Sequence, residues 1–361
     1  MKRVITTSAV LALLLVAPAA HGQDTFTYEA PAGDNAVVLR IDSVTDASAI
    51  APVIRAFQRR EPNVTIIYRD FKTNELAAMA KRACQARQSS ADIILSSAID
   101  QQVKLVNDGC AQRLDSPVLR ALPDWARWRD ELFGLTYEAA VIVYSKQHFG
   151  AAKVPADRFD LVDMLRNSDE LNGRVGTYDL EASGVGYLFA SQDALQASTF
   201  GRLVEALGRN GVQLFCCSGD ILDRIVSGEL LLGYNVLGSY AMSRARDNPD
   251  IGIVLPSDYT LVMARAAYVP KSSGQAALAQ RFLEFIFSPD GQQVMSQAAL
   301  LLSPLSGAER LPRLVGADDK AQQSLRPIVF SPALMVGLDR VKRQLFLDQW
   351  RSSVKQNQSG F

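Results

Sequence analysis

The sequence predicts an α/β fold in two lobes, each lobe a mostly parallel β-sheet flanked by helices. Apolar strand-like runs alternate with helical stretches along most of the chain, which is the pattern of parallel sheets with crossover helices. A length of 361 residues corresponds to about two domains. The alternation breaks at 121–130, a stretch rich in Trp and charges, and then resumes, which indicates the start of a second unit.

In the first half of the chain, three predicted strands are each followed by a helix. The strands are expected at 36–41, 64–68 and 92–95, and the helices at 49–60, 74–88 and 101–107. Thr45, Asp46 and Ser48 provide N-cap side chains for the first helix, and Gly109 ends the third. Since ligands of open α/β sheets bind at the carboxyl ends of strands, the turns after these strands are candidate binding positions.

A second series of strands and helices predicts a second lobe over residues 135–257. Its strands are expected at 174–178 and 231–235, with helices between and after them. The first lobe is then discontinuous, with 36–134 joined to 258–349. No Gly/Ser-rich linker separates the lobes, so the chain is expected to cross between them through structured strands, near 134–136 and 257–260.

Residues 1–22 have the features of a secretory signal peptide. Lys2 and Arg3 precede a short apolar stretch, and Ala20 and Gly22 stand three and one residues before Gln23. Cleavage would place a soluble protein in the periplasm, and no cysteine stands there to carry a lipid. Without Lys2 and Arg3, the 38 basic residues become 36 against 38 acidic ones. The basic residues are also dispersed, which argues against nucleic-acid binding.

All four cysteines lie in the predicted mature chain, where an oxidising compartment favours pairing. A Cys84–Cys110 disulfide would join two adjacent βα units, and two free thiols are the alternative. A bond between the neighbours Cys216 and Cys217 would require geometry outside the usual Cα separation of about 4.4–6.8 Å. We therefore predict that these two are small buried residues without a disulfide.

The mature chain has a single histidine, His148, and this excludes most hydrolytic chemistry. A Ser-His-Asp or Cys-His arrangement would have to use His148, which is predicted to be an exposed loop residue. The sequence contains no Walker loop, HExxH or CxxC motif, so no cofactor and no metal site are expected. A secreted hydrolase that depends on His148 is the alternative to a binding protein without enzymatic activity.

Three polar turns are predicted where a strand is followed by a helix, at 43–48, 96–100 and 179–187. Helix N-termini carry free backbone N–H groups and partial positive charge, and hydroxyl groups add donors. For any one turn, capping of its own helix is the simpler explanation. Three such turns spread over two lobes predict a shared site for a small anion.

At these turns the chain resembles the type II periplasmic solute-binding proteins of ABC transporters. The resemblance is to the branch with ferric-ion, sugar-phosphate and phosphoglycerate-transport regulatory proteins, and it is carried mainly by the segments ADIILSSAID at 91–100, 176–190 and 233–241. It implies a two-strand hinge, a cleft that closes over the ligand, a monomer and an ABC permease as partner. It implies ligand contacts from Thr45, Asp46, Ser96, Ser97, Ser183, Gly184 and Asn235, with Asp179 and Tyr259 as second choices.

The expected class of ligand depends on one difference between this sequence and the ferric-ion members of the branch. Those proteins use a tandem tyrosine pair near the position of Tyr234 and Asn235, and this chain has one tyrosine there. An organic anion is therefore favoured over iron: a phosphorylated acid, a sugar phosphate or a carboxylate. Asp46, Asp100 and Asp179 would suit ligand hydroxyl groups. A role in sensing, with a sensor kinase as partner, is the alternative to uptake.

Overall fold

The computed structural model describes residues 24–33, 36–88, 91–150, 154–297, 301–314 and 323–355, so the predicted signal peptide at 1–22 lies outside the described residues. The strands are β1 Asp24–Tyr28, β2 Val37–Ser43, β3 Val64–Asp70, β4 Ile93–Ser96, β5 Arg127–Trp128, β6 Leu132–Gly134, β7 Glu138–Ser145, β8 Val175–Tyr178, β9 Gln213–Phe215, β10 Leu232–Leu237, β11 Ile251–Val254, β12 Thr260–Met263, β13 Ala266–Tyr268 and β14 Leu325–Pro327.

The helices flank these strands in the order that the alternating pattern predicts. They are α1 Ala47–Arg60, α2 Thr73–Gln85, α3 Ile99–Asn107, α4 Pro117–Arg120, α5 Lys146–Phe149, α6 Arg158–Asn167, α7 Gly184–Gln196, α8 Phe200–Arg209, α9 Ser218–Val226, α10 Gly238–Asp247, α11 Ala276–Phe287, α12 Pro289–Gln297, α13 Gly307–Leu314 and α14 Arg340–Lys355. Among the helices that the structure describes, none is long and apolar enough to cross a membrane.

The first lobe is built on a sheet with strand order β1-β3-β2-β4-β13-β6-β5. Its centre, β3-β2-β4, is parallel, whereas β1 and β13 pair antiparallel with their neighbours. All four residues of β4 are buried, as expected for a strand covered by helices on both faces. The parallel centre brings the carboxyl ends of β2, β3 and β4 to one edge of the sheet.

The second lobe is built on a sheet with order β14-β12-β7-β10-β8-β9, and β11 also pairs with β7. Strands β8, β9 and β10 are parallel, and β7 runs antiparallel to β10. A bulge interrupts the pairing of β10 with β7 between Gly233 and Val236. Two sheets flanked by helices confirm the predicted two-lobed α/β fold. The sheets are mixed, however, and not mostly parallel as predicted, because the edge strand β1 and the strands near the lobe connections pair antiparallel.

Two strand connections join the lobes, one from β6 to β7 and one from β12 to β13. They are tied to each other, since the Leu135 N–H donates to the Arg265 carbonyl at 2.8 Å and the Arg265 N–H donates to Thr136 Oγ1 at 2.9 Å. The second crossing lies later than the predicted 257–260, because β12 pairs with β7 and β14 in the second sheet.

The C-terminal part of the chain contacts both lobes and is not confined to the first, as 258–349 was expected to be. Helices α11 and α12 pack on α1 in the first lobe, and the 3₁₀ segment Pro332–Leu338 packs on α3. Strand β14 joins the second sheet and α14 packs on α8 of the second lobe. The amphipathic faces of these late helices are therefore divided between two cores.

The predicted disulfide between Cys84 and Cys110 is confirmed. Its Cα atoms are 5.4 Å apart, within the usual range, and it joins α2 to the residue that follows the turn after α3. Neither cysteine is among the residues that line the cavity between the lobes. This bond therefore staples neighbouring helices and takes no part in the cleft described below.

Candidate ligand-binding cleft

A cavity of about 440 Å³ lies between the two lobes, where the carboxyl ends of strands from both sheets face each other. Apart from Asp24 in β1 and Arg265 in the connection between the lobes, the lining residues end or follow β2, β3 and β4 in the first lobe and β8, β9 and β10 in the second. The lining consists of Asp24, Val44, Asp46, Asp70, Phe71, Lys72, Thr73, Glu75, Ser97, Tyr178, Ala182, Ser183, Val185, Cys216, Cys217, Ser218, Gly219, Asp220, Asp223, Leu237, Tyr240 and Arg265.

Several helices begin at this cavity, and they differ in how their N-termini are capped. Ser183 caps α7, because its hydroxyl accepts the Gly186 N–H at 3.1 Å. Helices α9 and α10 have Cys217 and Leu237 at their N-cap positions, and neither side chain accepts a hydrogen bond from the helix. Since an N-cap normally satisfies one of the free N–H groups of the first turn, α9 and α10 are incompletely satisfied.

The N-terminus of α9 is open toward the cavity. A side chain at Gly219 would meet no atom within 4 Å, and the residue lines the cavity. The neighbouring Ser218 hydroxyl is fixed by the Tyr178 hydroxyl at 2.5 Å and accepts the Leu237 N–H at 3.3 Å. The partial positive charge of this terminus faces the cavity with room for a ligand group beside it, and Asp220 of the same first turn offsets part of that charge.

A buried ion pair forms the floor of the cleft at the connections between the lobes. Arg265 and Glu138 are each 1% exposed, and Arg265 Nε lies 2.5 Å from Glu138 Oε1. Arg265 also donates to Thr45 Oγ1 at 2.7 Å, while Thr136 and Ser239 hydroxyls donate to Glu138. Burial alone would raise the pKa of Glu138, but Arg265 holds that pKa below its usual value. The guanidinium charge is thus largely neutralised within the protein.

Carboxylates outnumber free cations in the lining. The acidic side chains are Asp24, Asp46, Asp70, Glu75, Asp220 and Asp223, whereas the basic ones are Lys72 and the paired Arg265. Burial, and next the neighbouring Asp46, raise the pKa of Asp70 to about 6. Asp70 Oδ2 accepts the Ala47 N–H at 3.3 Å. The cavity thus offers acceptors, and at mildly acid pH a protonated Asp70 as a donor.

Hydrogen bonds join the two lobes across the mouth of the cleft. The Gly184 N–H donates to Thr73 Oγ1 at 2.8 Å, and the Asp46 N–H donates to the Tyr240 hydroxyl at 3.3 Å. The Asn74 amide donates to the Glu181 and Ala182 carbonyls at 2.8 and 3.1 Å. The bonds of Thr73 and Asn74 join the first turn of α2 to the start of α7 and the segment before it, and the bond of Asp46 joins the start of α1 to α10. The structure is therefore in a closed conformation.

Of the residues that the sequence indicates as ligand contacts, three line the cavity: Asp46, Ser97 and Ser183. Four others are engaged within the protein. Thr45 accepts from Arg265, Ser96 Oγ accepts the Ala98 N–H at 3.1 Å, and Gly184 bonds to the opposite lobe. Asp179 accepts the Glu181 N–H at 2.9 Å in its own turn. These four shape the cleft without contributing lining atoms.

Asn235 and Tyr259 lie outside the cleft lining, in a buried cluster around Asp193. The Asn235 amide donates to Asp193 at 2.7 Å and the Tyr259 hydroxyl at 2.8 Å, while Arg158 pairs with the same carboxylate at 3.1 Å. Asn235 sits at the bulge of β10 with φ +61°, which turns its side chain toward α7 instead of the cleft. Such a bulge has no signature in the local sequence.

The prediction for Cys216 and Cys217 is wrong, because the structure bonds these neighbours to each other. The bond lies in the turn between β9 and α9, and both residues are half-buried and line the cavity. Cys216 Sγ is 3.3 Å from an Asp220 carboxylate oxygen. Among the described residues, these three form the one cluster with metal-ligand spacing, but the sulfurs are bonded to each other.

His148 is exposed in α5 and lies 3.5 Å from Glu170, away from the cleft lining. The predictions missed Asp70, Thr73, Tyr240 and Arg265. The turn after the strand at 64–68 could have been recognised as a candidate binding turn. It contains Asp70 and Thr73 and lies between a strand and a helix, like the three turns selected above. Arg265 has no local signal, because only the pairing of the connecting strands brings it to the cleft.

The architecture and the cleft agree with what comparison with known proteins shows. The model of the family "Bacterial extracellular solute-binding protein" matches residues 43–298. The chain belongs to this family. A solute-binding protein of an ABC transporter from Agrobacterium tumefaciens superposes on it with a TM-score of 0.85 and is 38% identical, covering 92% of this chain and 98% of that one. No curated protein sequence matches the chain significantly.

Two more distant structures share the fold of this solute-binding protein. AfuA from Actinobacillus pleuropneumoniae, solved with fructose 6-phosphate bound, has a TM-score of 0.71 at 15% identity, covering 88% of this chain and 98% of its own. Iron-bound HitA from Pseudomonas aeruginosa has a TM-score of 0.60 at 19% identity, covering 72% and 84%. At these identities the likeness concerns the fold alone.

Proposed function

We propose that the protein is the periplasmic substrate-binding component of an ABC-type uptake system and that its ligand is a small hydroxylated organic anion, a sugar phosphate in particular. Its family and the Agrobacterium relative support the role in transport. The alternative of sensing through a kinase rests on the sequence resemblance alone, whereas uptake has the additional support of a transporter component that is 38% identical.

The observation that carries the anion is the open N-terminus of α9. Its N-cap residue gives no side-chain hydrogen bond, its second residue is Gly219 with free space around it, and α10 begins uncapped beside it. A phosphate oxygen placed there would accept backbone N–H groups and interact with the positive ends of two helices. Both termini belong to the second lobe, so an anion bound there is covered when the first lobe closes.

The carboxylates of the lining support a ligand that also carries hydroxyl groups. Asp46 and Asp70 approach from the first lobe and Asp220 from the second, and carboxylates accept hydrogen bonds from sugar hydroxyls. A phosphate monoester carries about −1.5 to −2 charges at pH 7 in a single group, which can lie at the helix termini. A di- or tricarboxylate would place further charged groups near these carboxylates, which repel them. A monophosphate with a polyhydroxylated carbon skeleton fits this distribution better than a di- or tricarboxylate. The bound fructose 6-phosphate of AfuA is a ligand of this class.

Ferric ion is the second candidate, because the cavity combines carboxylates with Tyr178 and Tyr240. Fe(III) would be coordinated by phenolate and carboxylate oxygens. Burial raises the pKa of Tyr178 to about 12 and also raises that of Tyr240, which opposes phenolate formation. Tyr178 is in addition hydrogen-bonded to Ser218. The sugar phosphate is therefore preferred over the metal.

Binding measurements with a small panel test the proposal. We expect D-fructose 6-phosphate to raise the melting temperature and to bind in calorimetry, with citrate and Fe(III) much weaker. Stabilisation by Fe(III) with a phenolate charge-transfer band, or by citrate above the sugar phosphate, would contradict it. Stabilisation by none of the panel members would remove the sugar-phosphate assignment.

A matched pair of variants at Gly219 tests the position of the anion. Gly219→Asp places a negative charge at the N-terminus of α9, and Gly219→Asn places a neutral group of the same size there. At about 6 Å and an effective dielectric constant of about 20, the added charge weakens anion binding by about 2–3 kcal/mol, which is about 30- to 150-fold. We expect this loss for Gly219→Asp beyond any loss for Gly219→Asn. Equal affinities of the two variants would place the anion elsewhere.

A further inference from the structure

The Cys216–Cys217 disulfide lines the cleft, and the anion site at α9 does not explain its presence. Both half-buried residues belong to the turn that leads into α9, directly before the open N-terminus. Disulfide sulfurs have no S–H donor and are weak acceptors, so this part of the wall is apolar and polarisable.

A disulfide between adjacent residues adds little to the free energy of unfolding, because it hardly restricts the unfolded chain. A disulfide stabilises chiefly by closing a loop of the unfolded chain, and the effect grows with the number of residues enclosed. Cys84 and Cys110 are separated by 26 positions, whereas Cys216 and Cys217 are adjacent. The contribution to stability therefore explains the Cys84–Cys110 disulfide and does not explain the Cys216–Cys217 disulfide. For Cys216–Cys217, the position in the wall of the cavity is the more informative property.

Apolar side chains from both lobes accompany the disulfide in the lining. Val44 and Phe71 come from the first lobe, and Val185 and Leu237 from the second. A sugar phosphate has hydroxyl groups for the carboxylates and a phosphate for the helix termini, and its C–H groups need an apolar surface. Packing them against sulfur removes apolar area from water on both sides.

We infer that the Cys216–Cys217 disulfide is part of the ligand-binding surface and packs against the carbon skeleton of the bound sugar phosphate. The inference rests on the proposed function and adds a residue pair that selects for ligands with a carbon skeleton.

The test compares two ligands and two double variants. Cys216→Ser/Cys217→Ser removes the disulfide in the cleft, and Cys84→Ser/Cys110→Ser removes the other one as a matched control. The probes are D-fructose 6-phosphate and inorganic phosphate, which has no carbon skeleton. We expect the cleft variant to bind fructose 6-phosphate about five- to tenfold more weakly, as for loss of about 40–50 Å² of apolar contact. Its affinity for inorganic phosphate and the affinities of the control variant should equal those of the wild type.

The possible outcomes separate this inference from the function. If the wild type binds fructose 6-phosphate and the cleft variant binds it equally well, the inference is wrong and the function stands. If the cleft variant loses affinity for both probes equally, the disulfide has a general structural role and the inference is also wrong. If the wild type does not bind fructose 6-phosphate, both fail.

A reduction experiment covers the case in which the cleft variant does not fold. In the Cys84→Ser/Cys110→Ser background, dithiothreitol is oxidised to its cyclic disulfide and gives two electrons and two protons to the remaining S–S bond, which becomes two thiols. We expect affinity for fructose 6-phosphate to fall with the count of free thiols and to return on reoxidation. Affinity that is independent of the thiol count would overturn the inference.

Discussion

Asn74→Ala tests whether closure of the lobes contributes to ligand affinity. Asn74 belongs to the first turn of α2, and its amide donates to the Glu181 and Ala182 carbonyls of the second lobe at 2.8 and 3.1 Å. Asn74 does not line the cavity, so the substitution leaves the ligand contacts intact. A hydrogen bond contributes about 0.5–1.5 kcal/mol net to stability. For the half-buried Asn74 side chain we take about 1–2 kcal/mol as the joint contribution of its two bonds to the stability of the closed state.

Because the bonds to the Glu181 and Ala182 carbonyls form only when the lobes are closed, their loss reduces the stability of the closed state. The substitution also removes the bond that the Gln101 amide donates to Asn74 Oδ1 at 2.8 Å within the first lobe, which lowers the stability of the open and closed states alike. A ligand that binds the closed state then loses about 5- to 30-fold in affinity. The affinity for fructose 6-phosphate is measured by calorimetry, and small-angle scattering of the unliganded protein should report a larger radius of gyration.

Asn167→Ala is the matched control, since the Asn167 amide donates to the Asp163 carbonyl at 2.7 Å within α6. We expect wild-type affinity and scattering from this control. If Asn74→Ala also retains wild-type affinity and scattering, these bonds do not control closure, and the reasoning fails.

The remaining predictions concern the floor of the cleft, one titrating carboxylate and the confirmed disulfide. Arg265→Met leaves the Glu138 charge buried without its partner, and we expect urea denaturation to report a loss of about 3–5 kcal/mol, partly recovered when Glu138→Gln is added; a loss below about 1 kcal/mol would contradict this. Asp70 has a pKa of about 6, so its negative charge is present above that pH and is lost as pH falls. Asp70→Asn keeps an oxygen acceptor for a ligand hydroxyl and removes only the charge that repels the phosphate. The variant should therefore bind fructose 6-phosphate more tightly than the wild type at pH 7.5 and equally at pH 5. Calorimetry of both proteins at each pH gives the ratio of their affinities, from which the ionisation of the ligand cancels; a ratio that does not change with pH would argue against a charge effect of Asp70. Removing the Cys84–Cys110 bond, which spans 26 positions, should lower the free energy of unfolding by about 3–4 kcal/mol in the chain-entropy account, and an unchanged urea midpoint would refute it.

The order of strands and helices could be predicted from the sequence because burial follows local periodicity. The helix expected at 49–60 is observed as Ala47–Arg60, and the strand expected at 64–68 as Val64–Asp70. Pairing between strands distant in sequence is different. The antiparallel strands β7, β12 and β13 have the same apolar composition as parallel ones, so the sequence does not reveal in which sheet Thr260–Met263 lies.

For the site, the sequence indicated the correct edge of each sheet and only some of the residues. Ser97 and Ser183 could be selected because each lies in the turn between a strand and the next helix. Asn235 is predicted at the end of a strand but lies within β10, where the bulge directs it to Asp193. Arg265 reaches the cleft through the connection between lobes, and Cys217 through a bond that its spacing argued against. These residues depend on backbone geometry that amino-acid type does not specify.

The C-terminal segment described with the fold acts mechanically as a third tether between the lobes. Pro332–Leu338 rests on α3 and α14 rests on α8, while the Tyr187 hydroxyl of the second lobe donates to the Gly337 carbonyl at 2.5 Å. Because this segment is held on helices of both lobes, separation of the lobes must shift or release one of these contacts. The free energy of opening therefore includes the contacts of the C-terminal segment as well as the bonds across the cleft.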